Sequence, residues 1–332
     1  MHAAQSFGGA PFRSRRLAPL PFPGYGRAMP LPPALHGLAL PAIAAPMFLV
    51  SGPDLVVEAC RSGLVGAFPA LNRRSSAEFA EWVAEIAERL DRGSAPFAVN
   101  LIVHRTNPRL QPDLQIVAER RVPLVITSLG AVREVVQAVH AYGGLVLHDV
   151  INLRHAARAA EAGVDGLIAV AAGAGGHAGT LSPFAFLHEL RAMFDGTLVL
   201  SGAISTGAQI AAAQLMGADL AYLGTRFIAT QESLAPPDYK QMLLACSAKD
   251  IVYTPAISGV HANFLRPSLE RAGVDLDSRP EMDMGEREKR AWKDIWSAGQ
   301  GVGAIDDIPA TAELCRRLME EYRRARQVPG PA

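Results

Sequence analysis

The chain has 332 residues; 49% are hydrophobic, and 32 basic side chains balance 32 acidic ones. That length and apolar share suit one large α/β barrel or two ordinary domains, and the zero net charge excludes a broad nucleic-acid footprint. Cys60, Cys246 and Cys315 stand in no CxxC or Cys/His cluster, excluding a disulfide framework and structural zinc, and no apolar run reaches the ~18 residues of a membrane span.

Residues 1–38 differ from the rest. Prolines stand at 11, 19, 21, 23, 30, 32 and 33, arginines at 13, 15, 16 and 27, and no acid precedes Asp54. An Arg-rich, acid-poor start is that of a transit peptide, but the prolines oppose the amphipathic helix such a peptide needs. A disordered extension is expected, with Met29 as an alternative start, and a soluble, cytoplasmic protein without membrane partner.

Eight short apolar runs follow, at 42–45, 64–68, 97–103, 123–127, 145–147, 166–171, 198–200 and 220–223. Most are continuous rather than alternating, which suits strands buried on both faces. Helical patterns fill the gaps. In 75–90, Ser75 and Glu78 make a capping-box pair, and Phe79, Trp82, Val83, Ile86 and Leu90 share a face. A second helix has Val132, Val135, Val136 and Val139 on one face. A third starts after Asn152, a good N-cap, and stops at Gly163. A fourth runs over 206–216 and ends at Gly217. Strands and helices alternating in this way fit a (β/α)8 TIM barrel of about 250 residues. The competing reading is an open doubly wound sheet; the count of eight and the missing GxGxxG turn favour the barrel.

After the eighth run the pattern breaks. Residues 231–300 hold Pro236-Pro237, Pro255, Gly259, Pro267, Pro280 and the charged stretch 286–290. A small, mainly helical insertion over the barrel mouth is expected. Residues 39–230 and 301–328 then form the barrel. Its last helix starts at Pro309, with Leu314, Leu318 and Tyr322 on one face.

Barrel active sites lie where the strands end. Those ends supply Pro46-Met47, Asn100, Ser128, His148-Asp149, the loop 173–179, Ser201-Gly202-Ala203-Ile204-Ser205 and Gly224-Thr225-Arg226. The loop, Gly173-Ala174-Gly175-Gly176-His177-Ala178-Gly179, places one imidazole among four glycines. Glycine lets a backbone approach a ligand closely, and the unperturbed histidine pKa lies near neutrality. Barrels bind phosphate after strands seven and eight, near a helix N-terminus. Gly202 and Gly224 are placed to offer N–H groups there, and Thr225 a hydroxyl. Singly each glycine is an ordinary tight turn; as a pair they favour a phosphate-bearing ligand. No Walker A motif is present. Asn100 is either a core amide bonded to backbone or a cofactor contact. Met47 is more often packing than a ligand. His148 beside Asp149 has the look of a polar barrel layer, and His2, His36, His155 and His188 of surface or loop histidines.

These residues resemble the nitronate monooxygenase (2-nitropropane dioxygenase) family. The resemblance rests on the loop 173–179, Gly202-Ala203-Ile204 and Gly224-Thr225-Arg226-Phe227. Ala45-Pro46-Met47, Val99-Asn100-Leu101, Ser258-Gly259-Val260, Ala262-Asn263-Phe264-Leu265-Arg266 and Ser297-Ala298-Gly299-Gln300-Gly301 add to it. It covers about residue 40 to the C-terminus. It implies an FMN-dependent barrel oxidising alkyl nitronates with O2 to carbonyl compounds and nitrite, with His177 as catalytic base. It further implies that Ser201, Gly202, Ala203, Gly224 and Thr225 hold the FMN phosphate, and that Met47 and Asn100 line the flavin. His148, Gly175 and Gly176 complete the expected cofactor set; no metal is expected. The partners are a small-molecule substrate and O2, and a homodimer stays open. The chain departs from many members at Ala171 and Gly173, where they carry Gln and Glu. It also departs at His148-Asp149, where they carry lysine, and at Gly202-Ala203, where they carry two glycines. The rival readings are a flavin-dependent enoyl-acyl carrier protein reductase using NAD(P)H, and a flavin-free barrel isomerase or phosphate-ligand binding protein.

Overall fold

Eight parallel strands close into a barrel. They are β1 (Ala42–Ala44), β2 (Val65–Pro69), β3 (Phe97–Ile102), β4 (Leu124–Ser128), β5 (Leu145–Val150), β6 (Gly166–Val170), β8 (Thr197–Ser201) and β9 (Leu220–Leu223). The ring shuts where Ile43 pairs with both Val65 and Tyr222. The computed structural model describes residues 31–104, 106–130, 133–257, 259–278 and 294–327. Val132 and the charged stretch 286–290 lie outside them, as does the proline- and arginine-rich part of the extension up to residue 30.

The helices between strands are α1 (Pro53–Arg61), α2 (Ser76–Arg89), α3 (Leu110–Glu119), α4 (Arg133–His140), α5 (Leu153–Ala162), α6 (Pro183–Met193) and α7 (Gly207–Leu215). Their ends follow local chemistry. Ser75 and Glu78 close a reciprocal capping box on α2, and Thr206 with Gln209 does so on α7. Asn152 caps α5, which stops at left-handed Gly163 (φ 90°). Each such cap is worth about 1 kcal/mol.

Strand alternation divides the barrel into two cores. Val99, Val125, Val146, Leu167, Leu198 and Ala221 point outward into the helices. Ile43, Val65, Ala98, Leu124, Leu147, Ile168, Val199 and Leu220 point inward and fill the barrel. Leu35 joins this inner core, with Leu31 and Leu38 packed against it. Residues 31–38 are therefore folded, with a 3-10 turn at Pro33–Leu35, rather than part of the disordered extension expected from their prolines. Buried Leu35 and half-buried Leu31 and Leu38 gain by covering the inner core, which opposes the entropy of the free chain.

After β9 come α8 (Thr225–Ile228), α9 (Pro237–Ala245), β10 (Ile251–Thr254), β11 (Ala262–Leu265) and α10 (Arg266–Arg271). The insertion thus has helices and also an antiparallel strand pair that its prolines concealed. This pair recruits a third strand from the barrel mouth, β7 (Gly176–His177), with Ala262 opposite His177. The last helix, α11 (Thr311–Arg326), returns to the barrel against α7 and α1, burying Leu314, Leu318 and Tyr322. Gly207 permits this contact: a Cβ there would stand 2.1 Å from the Leu318 carbonyl.

Candidate active site

A cavity of about 1320 Å³ opens where the barrel strands end. Its wall includes every residue expected at the site: Met47, Asn100, His148, Gly175, Gly176, His177, Ser201, Gly202, Ala203, Gly224 and Thr225. Drug-sized ligands occupy about 300–1,000 Å³, so there is room for a cofactor and a substrate together.

The glycine loop is pinned from the insertion. Gly176 N–H donates to Ser297 Oγ (2.7 Å), whose hydroxyl donates to the Asn263 carbonyl (2.6 Å). Asn263 Nδ2 donates to the Ala174 carbonyl (2.6 Å), Tyr253 OH to that of Ala178 (2.9 Å), and Gln300 N–H to that of Gly173 (2.8 Å). The glycines serve this packing. A Cβ on Gly175 would stand 2.9 Å from Gly299 N, and Gly176 sits at φ 70°. The loop is therefore a short strand held by the neighbouring domain, not a free turn. His177 is fixed within it, and burial pulls its imidazole down to about 4. It is a neutral imidazole at physiological pH.

The ends of β8 and β9 form a corner built from backbone. Gly202 lies at φ 146° and Ala203 at φ 54°. The N–H groups of Gly202, Ala203 and Gly224 find no acceptor among the described residues. Ser205 Oγ is buried there without a partner. Thr225 Oγ1 accepts the Gly299 N–H (2.8 Å), which leaves its proton to donate. Of the acids on the cavity wall, Asp149 is on β5 and Glu161 on α5, both away from this corner. A donor-rich, carboxylate-free corner fits a phosphate. The N-terminus of α7 has no such groups to offer. Its Gly207 N–H goes to Glu321 Oε2 (2.7 Å), and the Ser205 and Thr206 N–H groups go to Gln209 Oε1. The corner is thus made of loop backbone after β8 and of the N-terminal end of α8, capped by Gly224, after β9.

Opposite this corner, side chains form a polar floor. Asn100 spends both amide hydrogens, on the Ile126 carbonyl (3.2 Å) and Ser128 Oγ (2.8 Å). Ser128 in turn donates to Asp149 Oδ2 (2.6 Å). Both readings of Asn100 hold at once: a satisfied core amide that also reaches the cavity. Met47 packs between core clusters, with its sulfur beside Gly224.

His148 is displaced from its expected role by register. β5 runs through Val150, beyond the expected 145–147. Leu147 faces inward and Val146 and Val150 outward, so alternation turns Asp149 into the barrel and His148 out of it. The His148 ring pairs with Thr127 Oγ1 (2.8 Å), and burial together with nearby His155 lowers it to about 4. It meets the cavity from the side of α5, with His155, which was expected among the surface or loop histidines. Sequence reasoning also missed Tyr222, an inward residue of β9, and the clamp of Asn263 and Ser297. Inward alternation from Leu220 would have found Tyr222.

Among the described residues there is no cluster able to hold a metal, and no helix long and apolar enough to cross a membrane. All three cysteines are free and buried.

Comparison with known proteins agrees with this geometry. The sequence model of one family, nitronate monooxygenase, matches residues 68–321. A nitronate monooxygenase from Paraburkholderia phytofirmans is 28% identical, over 88% of this chain and 94% of its own. Among solved structures, a nitroalkane oxidase from Streptomyces ansochromogenes superposes with a TM-score of 0.77 at 24% identity, covering 88% of this chain and 99% of that one. FabK from Thermotoga maritima gives 0.74 at 24% identity, covering 88% and 96%.

Proposed function

The chain belongs to the nitronate monooxygenase family of flavin oxidoreductases, and from that premise we propose that it binds FMN and oxidises alkyl nitronates with O2 to carbonyl compounds and nitrite. One observation carries the reading: a neutral imidazole, His177, is fixed at the mouth of a cavity whose far corner presents unpaired N–H groups. The N–H groups of Gly202, Ala203 and Gly224, with Thr225 Oγ1 and Ser205 Oγ, would hold the phosphate. Met47 and Asn100 would line the ring. The redox chemistry would come from bound FMN, which exchanges electrons with substrate and O2.

His177 has two tasks in this reading. It takes the proton from the carbon beside a nitro group, and it hydrogen-bonds a nitronate that arrives ionised. A base is most effective when its pKa is near the working pH. Burial holds this imidazole lower, and an incoming anion offsets part of that cost. The site is therefore better matched to preformed nitronate than to neutral nitroalkane. The pairing of β7 with β11 holds the His177 backbone in place.

The test is a visible spectrum of the purified protein, followed by nitronate-dependent O2 uptake with nitrite formation. A colourless protein that FMN cannot reconstitute overturns the reading in favour of a flavin-free barrel. A second reading draws on the size of the cavity, about 1320 Å³, above the roughly 300–1,000 Å³ usual for ligand pockets. It is reduction of an enoyl thioester with NAD(P)H. Rapid flavin reduction by NAD(P)H with enoyl-thioester turnover would establish it.

A further inference from the structure

One inward-facing titratable side chain has no part in this scheme. Asp149 lies on the cavity wall at the end of β5. Its Oδ2 accepts the Ser128 hydroxyl, and Ser128 is held by Asn100. Its Oδ1 is buried and meets no donor among the described residues. A carboxylate with an unsolvated oxygen is costly, and a proton removes that cost.

The surroundings offer no charge to compensate it. From β4 come Ser128 inward and Thr127 outward; from β6 come Ile168 and Val170. Tyr222 approaches from β9, and its phenol is held protonated by burial and by the carboxylate itself. His148, next along β5, points outward and is neutral. Among the described residues no cation is paired with Asp149, and burial raises it to about 6, with the Ser128 hydroxyl opposing. Near neutral pH this carboxyl is poised between its two forms.

We propose that Asp149 is the proton-holding group of the cavity floor: its carboxyl takes up one proton when negative charge builds up in the cavity, and so removes its own negative charge from beneath the bound anionic group. No other bond forms or breaks in this step. The asparagine–serine–aspartate chain fixes the carboxyl plane, so Asn100 and Ser128 are its positioning residues. A buried carboxyl without a neighbouring cation takes up a proton more readily when a further negative charge comes near. The proposal rests on FMN binding at this site.

The holoenzyme tests it without turnover. The midpoint potential of bound flavin is followed from pH 5 to pH 9 in the wild type and in Asp149→Asn. Above pH 7 the wild type should take up one proton more per two electrons than the variant; near pH 5, where Asp149 is already protonated, the slopes should agree. Equal slopes throughout overturn the proposal. If Asp149→Asn does not retain flavin, redox-difference infrared spectra of the wild type at pH 8 decide. A carboxylic C=O band should appear on reduction and shift in Ser128→Ala; its absence overturns the proposal. If the wild type binds no FMN, the proposed function fails separately. The Asp149 carboxyl, followed by 13C NMR, should then still titrate near 6 and rise on adding ethylnitronate; an unmoved midpoint overturns the proposal.

Discussion

The two ends of the cavity are built on opposite principles. At the ends of β8 and β9 recognition is made of backbone: Gly202, Ala203 and Gly224 offer N–H groups, and side chains mostly stay out of the way. At the ends of β3 to β6 it is made of side chains: Asn100, Ser128, Asp149 and His177, each set by strand register or by the insertion. Backbone donors do not titrate and suit a permanently anionic group. Side chains titrate and suit the place where charge changes during reaction. Under the proposed function, a cavity divided in this way would let the cofactor be held while the chemistry is tuned independently.

Substitutions should separate the two ends. The largest effect is expected from His177→Asn: kcat/KM for neutral nitroalkane should fall by about 10²–10⁴-fold, with flavin retained and a smaller loss for preformed nitronate. Steady-state O2 uptake on both substrate forms checks it; unchanged turnover removes His177 from the base role. Gly202→Val should do the reverse. Its φ of 146° and a Cβ 2.9 Å from the Ala172 carbonyl force the cradle to shift. Strain of about 1–3 kcal/mol should weaken FMN binding about 10–100-fold, read by flavin fluorescence.

Asn263→Leu tests the clamp between them. It leaves the Ala174 carbonyl buried without its donor, which costs about 1–3 kcal/mol in urea unfolding, and should lower turnover more than FMN affinity. The pH dependence of stability is a gentler probe. His177 and His148 are lowered from 6.5 to about 4, so their contribution is complete above pH 6.5 and is lost as pH falls through about 4. Asp149, raised from 3.8 to about 6, has the opposite sign: its contribution is present below pH 3.8 and is lost as pH rises through about 6. The urea midpoint should therefore drop between pH 6.5 and 4, and less steeply in His148→Phe. The smallest effect is the control: Ser75→Ala removes the α2 cap for about 1 kcal/mol and should leave both ends of the cavity untouched.

Much of this molecule was legible in its sequence. Continuous apolar runs marked all eight barrel strands, because a strand buried on both faces cannot alternate. Ser75, Asn152, Thr206 and Gly163 marked helix ends, because caps are satisfied within a few residues. Gly202 and Gly224 marked the corner of free backbone N–H groups, because a glycine after a strand is visible in the sequence. Tertiary structure decided the rest. Only the continuation of β5 through Val150 tells whether His148 or Asp149 points into the barrel, since one residue of register exchanges the two faces. Only the pairing of β7 with β11 turns a flexible glycine loop into a fixed seat for His177, because its partners, Asn263 and Ser297, lie about a quarter of the chain away or more. Local bonds can be read locally; contacts closed over such distances exist only once the barrel and its insertion have met.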